Sequence, residues 1–273
     1  MPLGVQMQFD RMRPGQLRQA IADGLPFVLP IGVMEYHGAH LPAGVDLLAV
    51  TEVLKRFGDR IVVLPPFAYG AASHAVAGPD GTGTLHLDTS AFLPMAEALF
   101  TALLRMGVRK VHGVIHHQTE GFAQGMPTDL TFRLAARNAL FRHLESERGP
   151  GWWGDRGMQD YYAQQAAAED PFNWIQIHPL FPKGADFPFD HAGIGETALM
   201  LALAPETVAM ARASEGDHWY TETASGATEA LGERGVQIAL AHLAACLGLS
   251  AQAARGVQGL ANNSGRSRSS GSR

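Results

Sequence analysis

Continuous apolar runs alternate with stretches of helical period along this chain. "PFVLPIGVM" (26–34) reads as a buried strand, "DLLAVTEVLKRFG" (46–58) as a helix, and "IVVLPPFAYG" (61–70) as a second strand that ends in a loop. Residues 88–107 carry a helical pattern that opens on Asp88-Thr89-Ser90, an N-cap signal, and closes on Gly107, a C-cap signal. "VRKVHGVIHHQ" (108–118) predicts a third strand. Residues 126–147 predict a helix with Pro127 near its first turn, and the patterns over 193–208 and 233–249 predict two more. The Gly- and Trp-rich stretch 148–162 reads as a loop. There is no internal repeat. Strand and helix patterns in alternation predict an α/β layer fold around a mostly parallel sheet.

Composition agrees with a folded chain, because 46% of the 273 residues are hydrophobic and only 17% are charged. No Pro/Ser/Gly linker divides residues 1–260, so a single domain is expected there, followed by a flexible polar tail over 261–273. A net charge of −5 without a dense Lys/Arg cluster excludes a nucleic-acid footprint and leaves small molecules as the expected partners. The single cysteine, Cys246, rules out disulfides within the chain and is expected as a buried core thiol. The first residues lack a signal-peptide pattern and no apolar run reaches the roughly 18 residues of a membrane span, so a cytoplasmic location is expected.

The polar clusters follow the strands, and in open α/β sheets the ends of strands converge on one crevice. Glu35 and His37 are two apart and share a side in an extended segment, while Asp46 returns after a turn over 41–44. Two carboxylates and an imidazole suit a divalent transition ion, which an aspartate can bridge; a hydrogen-bonded surface turn is the competing reading. In "VIHHQTE" (114–120) adjacent residues leave the strand on opposite sides. His117 is expected to face the crevice, and His116 to be packed or hydrogen-bonded.

In "DHAGIGETALM" (190–200) Gly193 and Gly195 permit close backbone approach, and His191 is placed as a proton carrier. Glu196 either acts beside it or caps the helix. The loop over 74–88, with Gly81, Gly83 and Thr84, is too irregular for a phosphate-binding fingerprint, which excludes nucleotide binding. Trp152, Trp153 and Trp174 either wall a pocket or pack in a core or subunit interface.

Four of these stretches carry a resemblance. "LPIGVMEYHGAHLPAGVD" resembles the lPvGs-E-q-H-G-p-H-L-P-l-g-t-D pattern of the creatininase (creatinine amidohydrolase) family. "PPFAYGAASHAVAGPDGTGTLHL" is similar to its P-x-x-x-G-x-s-x-E-H…G-T stretch, "VIHHQTEG" stands at its NGHGGN position, and "DHAGIGETALM" is like its HAG-x-x-E-T-S. The resemblance implies a three-layer α/β/α sandwich with a mostly parallel sheet and a homo-oligomer, often a hexamer built from dimers. It implies metal ligation by Glu35, His37, Asp46 and His117, with Asp46 as the bridge if two ions bind. The ion would be zinc or manganese, with iron as an alternative, and His191 would shuttle protons beside Glu196.

The chain departs from the family where Ile115 to Glu120 replace the Asn-Gly-His-Gly-Gly-Asn run. Creatininase carries a glutamate ligand two positions after the histidine, where Thr119 stands here; Glu120 follows one residue later and is the candidate for that site, so one ion or two both remain open. Phe187 and Phe189 stand where creatininase has a tryptophan, and with Trp153 and Trp174 they are the expected walls of the substrate pocket. The implied activity is hydrolysis of a C–N bond in a small cyclic amide or lactam by water activated on the ion. Deformylation, trimming of a modified peptide, and a non-catalytic scaffold are the alternatives.

Overall fold

The computed structural model describes residues 6–76, 81–118, 120–159, 170–216 and 218–249; Thr119 and the tail expected over 261–273 lie outside them. Among the described residues, five strands form one sheet: β1 (Met7–Gln8), β2 (Phe27–Ile31), β3 (Val62–Val63), β4 (Val111–Ile115) and β5 (Ile175–Pro179). Their order is β1-β3-β2-β4-β5 and every neighbouring pair is parallel. Successive strand side chains point to opposite faces, so the central strand feeds two cores. Phe27, Leu29 and Ile31 pack with Phe92, Phe100 and Phe132, whereas Val28 packs with Val50, Leu54 and Leu199. All five residues of β2 are buried, as a strand covered on both faces requires.

The covering layers are α1 (Pro14–Ala22), α3 (Thr89–Arg105) and α4 (Pro127–Arg148) on the first core, and α2 (Val45–Lys55), α5 (Ile194–Leu203) and α6 (Glu229–Cys246) on the second. This is the expected three-layer sandwich. Gly113 in the middle of β4 makes room for its neighbours, since a Cβ there would meet Cδ1 of Ile177 at 2.7 Å and of Ile31 at 2.9 Å.

The strand expected over 61–70 is cut to Val62–Val63, because Pro65 and Pro66 cannot donate to a ladder. The central strand tolerates Pro30 for a related reason: its carbonyl accepts from Phe67 N (2.9 Å) on the side where β3 has already ended. Asp88 takes the N-cap position of α3 in an extended conformation, but its side chain makes no capping bond and lies 3.6 Å from His86 Nε2 instead. Gly107 closes α3 as expected, in a left-handed conformation (φ 91°). Cys246, at the end of α6, is half-buried rather than a core thiol.

Strand β2 leads outward through α2 to β3, while β4 leads the other way through α4 to β5. The reversal lies between β2 and β4, and the crevice at their carboxyl ends is where such sheets hold ligands.

Candidate metal centre

The loop after β2 supplies Glu35 and His37, the first turn of α2 supplies Asp46, and the exit of β4 supplies His116 and His117. The loop after β5 leads through His191 to Glu196 in the first turn of α5. Glu35 N donates to the Ala43 carbonyl (3.0 Å) and Tyr36 N to Thr84 Oγ1 (3.0 Å), while His40 Nε2 lies 2.9 Å from Thr197 Oγ1. These bonds tie the Glu35–Asp46 loop to the Gly-rich loop and to α5. The site is deeply buried: Glu35, His37 and Asp46 are each 1% exposed, His117 2% and Glu196 4%.

Two donor sets share Asp46. On one side, His117 Nδ1 lies 3.2 Å from Glu35 Oε1 and 3.9 Å from Asp46 Oδ1. On the other, His37 Nε2 lies 3.6 Å from Asp46 Oδ2 and 3.4 Å from Glu196 Oε2. Glu35, His37 and His191 form a further overlapping set, with His191 Nδ1 3.6 Å from Glu35 Oε1. Donor atoms about 2.1 Å from a shared ion in a tetrahedron stand about 3.4 Å apart, so these spacings match the edges of a zinc-like coordination shell.

Three further observations fit a divalent cation. His37 Nδ1 donates to the Glu35 carbonyl (3.0 Å), which fixes the proton there and turns the Nε2 lone pair inward. His37 Nε2 and Asp46 Oδ2 are buried with no hydrogen-bond partner. Among the described residues, no lysine or arginine pairs with Glu35, Asp46 or Glu196.

The electrostatics point the same way. Burial, then the neighbouring Glu35, pushes the Asp46 carboxyl well above the usual carboxylate range. Burial would also raise Glu196, but the nearby His37 and His116 hold it below that range. Burial opposes charge on His117, yet its bond to Glu35 and the charge of Asp46 lift it to about 9. His37 is lowered, chiefly by burial. A cluster of this kind calls for positive charge.

Glu120, expected as a ligand, belongs to none of the donor sets. It lies on the far side of His116, whose Nδ1 is 3.0 Å from Glu120 Oε1 and whose Nε2 is 3.3 Å from Glu196 Oε1. His116 is thus hydrogen-bonded, as expected, but also reaches the site. Glu196 does not cap the helix: it faces His37, and its Oε2 accepts from Ala192 N (2.7 Å), which precedes α5. The cap of α5 comes from Asp190, whose Oδ2 accepts from Gly195 N (2.7 Å). Gln118 and Ala192, directly after His117 and His191, take left-handed conformations (φ 57° and 54°), a local strain that concentrates at functional loops.

A cavity of about 340 Å³ opens onto His191 and Glu196, walled by Phe122, Phe189, Trp219 and Tyr220. Of the four aromatic residues expected there, Phe189 lines it and the other three do not. Phe187 stands one layer behind, buried and stacked on Phe181 (5.2 Å). Trp174 immediately precedes β5, at the amino edge of the sheet and away from the crevice, and packs under the Arg109 guanidinium at 4.4 Å. Trp153 sits edge-on to Trp152 (5.5 Å) in the short turn Trp152–Gly154. Phe122, Trp219 and Tyr220 were not expected; the run His218-Trp219-Tyr220 in an otherwise small and polar stretch is the signal that marks two of them.

Residues 10–247 match the family described as creatininase, creatinine amidohydrolase. A curated relative, the creatinine amidohydrolase of Pseudomonas putida, is 29% identical over 194 residues, spanning 68% of this chain and 66% of the relative, just under two thirds of its length. The solved structure "Creatininase Mn" superposes with a TM-score of 0.64 at 21% identity, over 88% of this chain and 96% of that one. A glutamate-to-glutamine mutant creatininase complexed with creatine gives 0.64 at 20% identity with the same coverage. These superpositions bear on the fold and agree with the three-layer sandwich. Since the family match takes in every strand from β2 to β5 and all the donor residues, the chain belongs to the creatininase (creatinine amidohydrolase) family.

Proposed function

We propose that the chain is a divalent-metal-dependent amidohydrolase that opens the C–N bond of a small cyclic amide or lactam. The observation that carries this reading is the pair of buried donor sets sharing Asp46 beside an aromatic-walled cavity. Glu35, Asp46 and His117 hold zinc or manganese, both of which accept mixed nitrogen and oxygen donors. The bound ion supplies Lewis acidity and brings the ionisation of water toward neutral pH.

His191 is oriented for proton transfer. Its Nε2 donates to the Tyr36 carbonyl (2.9 Å), so in the neutral ring Nδ1 is the acceptor, and it faces the ligand cluster. There it takes the proton lost by the water that adds to the carbonyl carbon and hands it to the nitrogen that departs as the C–N bond breaks. The Tyr220 hydroxyl is buried without a hydrogen-bond partner and belongs to a residue of the cavity wall, a donor available to the substrate carbonyl oxygen. Phe122, Phe189 and Trp219, all exposed along the cavity, offer aromatic faces to the flat face of a ring. Association with copies of the chain is supported by Leu130, Leu134 and Phe141, large apolar side chains exposed along α4.

The test is a screen of the zinc- or manganese-loaded protein against lactams, cyclic ureides and formamides, with Asp46→Ala alongside. Hydrolysis of a cyclic amide is expected in the parent. In the variant, activity and ion content should be lost together while circular dichroism stays unchanged. Parent-level hydrolysis by Asp46→Ala, or activity confined to formamides, would overturn the proposal.

A further inference from the structure

We propose that the substrate of this site carries an anionic arm, a carboxylate or phosphate, which passes Phe122 and binds Lys183 and Arg133. The proposal deepens the amidohydrolase reading and rests on it. A second cavity, of about 370 Å³, adjoins the one of about 340 Å³ that opens onto His191, and Glu120 and Phe122 line both. A bare lactam ring is small against the two together, so room remains for a substituent.

The second cavity draws its cations from separate elements. Lys183 comes from the turn over 182–185 that follows β5, where Ala185 N donates to the Pro182 carbonyl (3.2 Å) and Gly184 takes φ 73°. Glycine is the residue that accepts this left-handed position, so the turn sets where Lys183 stands. Arg133 comes from the second turn of α4. Both acids of the lining already have partners. Asp129 accepts from Met126 N and from Arg133 Nε (3.0 Å), and Glu120 Oε1 lies 3.0 Å from His116 Nδ1. Arg133 thereby spends one donor on Asp129 and keeps the outer edge of its guanidinium, which bonds to none of the described residues. Among those residues no carboxylate pairs with Lys183 either. The cavity therefore holds an unmatched positive charge and a free guanidinium edge beside the reaction site. Carboxylates and phosphates are the groups that such a pair receives. Phe122 and Pro179 are apolar flanks for the carbons between ring and charge.

The test uses the metal-loaded full chain with pyrrolidinone and hydantoin rings that carry an acetate, propionate or phosphomonoester arm. Each is paired with the same ring on a neutral carboxamide or hydroxyl arm. In the parent, kcat/KM should favour the charged member by about 10- to 100-fold, chiefly through KM, and calorimetry should show the same preference in binding. The arm that gains more, carboxylate or phosphate, identifies the anion. Lys183→Met should bring the ratio toward one, whereas Lys183→Arg should keep it. Lys183 is exposed, so neither change threatens the fold. Lys110→Met, just before β4 at the opposite end of the sheet, should leave the ratio as in the parent and so separate local contact from long-range attraction. No preference by either measurement, a ratio undiminished in Lys183→Met, or an equal fall in Lys110→Met would overturn the proposal. Hydrolysis without preference would leave the amidohydrolase reading standing. Preferential binding without hydrolysis of any ring would sink that reading and leave the anion subsite.

Discussion

An isolated carboxylate removed from water costs several kcal/mol, and this site gathers Glu35, Asp46 and Glu196 with none more than 4% exposed. Such a group persists only where opposite charge is built in or bound, or where a proton neutralises it. Tyr220 is the other residue whose environment asks for a partner, since its hydroxyl is buried and unbonded. Tyr220→Phe keeps the ring that packs on His218 and His191 and removes only that hydroxyl. Steady-state kinetics should show kcat down by about 10²-fold with KM little changed, the usual cost of losing one donor to developing charge. An unchanged kcat would remove Tyr220 from the reaction. The donor residues were legible in the sequence because their arrangement is local, two apart in Glu35 and His37 or at a strand exit in His117. Tyr220 was not, because only the crossing of a distant irregular segment brings it to the crevice.

At the scale of elements, β4 and β5 are joined by more than their ladder. His112 Nδ1 and His178 Nε2 lie 2.9 Å apart, one donating to the other, with the rings stacked. Burial, then His178 and Lys110, lowers His112 to about 3; burial, then His242 and Arg133, lowers His178 to about 4. Both values lie below the 6.5 of an exposed histidine, so the folded state favours the neutral pair. This stability is whole above pH 6.5 and is lost as pH falls toward those values, by up to about 1.4 kcal/mol per unit for each ring. Urea midpoints between pH 7.5 and 5 should fall less steeply in His178→Gln than in the parent, and equal slopes would clear the pair of this role. The long helices and β2 were legible because their apolar patterns are long. β1, two residues long, is too short for periodicity to separate it from a loop, β5 breaks its apolar run with Gln176 and His178, and β3 was over-read because two prolines ended it within an apolar run.

For the whole molecule the centre is also a structural joint, since its donors come from the exits of β2 and β4 and the first turns of α2 and α5. An ion bound there ties both central strands to two helices of the second layer. It binds the folded chain only, because no other state brings Glu35, Asp46 and His117 together. At a free-ion concentration one hundred times Kd, the expected stabilisation is about 2.7 kcal/mol. For a chain of this size that is roughly 5–10 °C in Tm. Thermal melts of the parent with excess Mn²⁺ and with a chelator should differ by that amount, and Asp46→Ala should melt alike in both. Equal melting of the parent under the two conditions would show that the buried carboxylates are balanced by protons alone, and the joint would then be held without a metal.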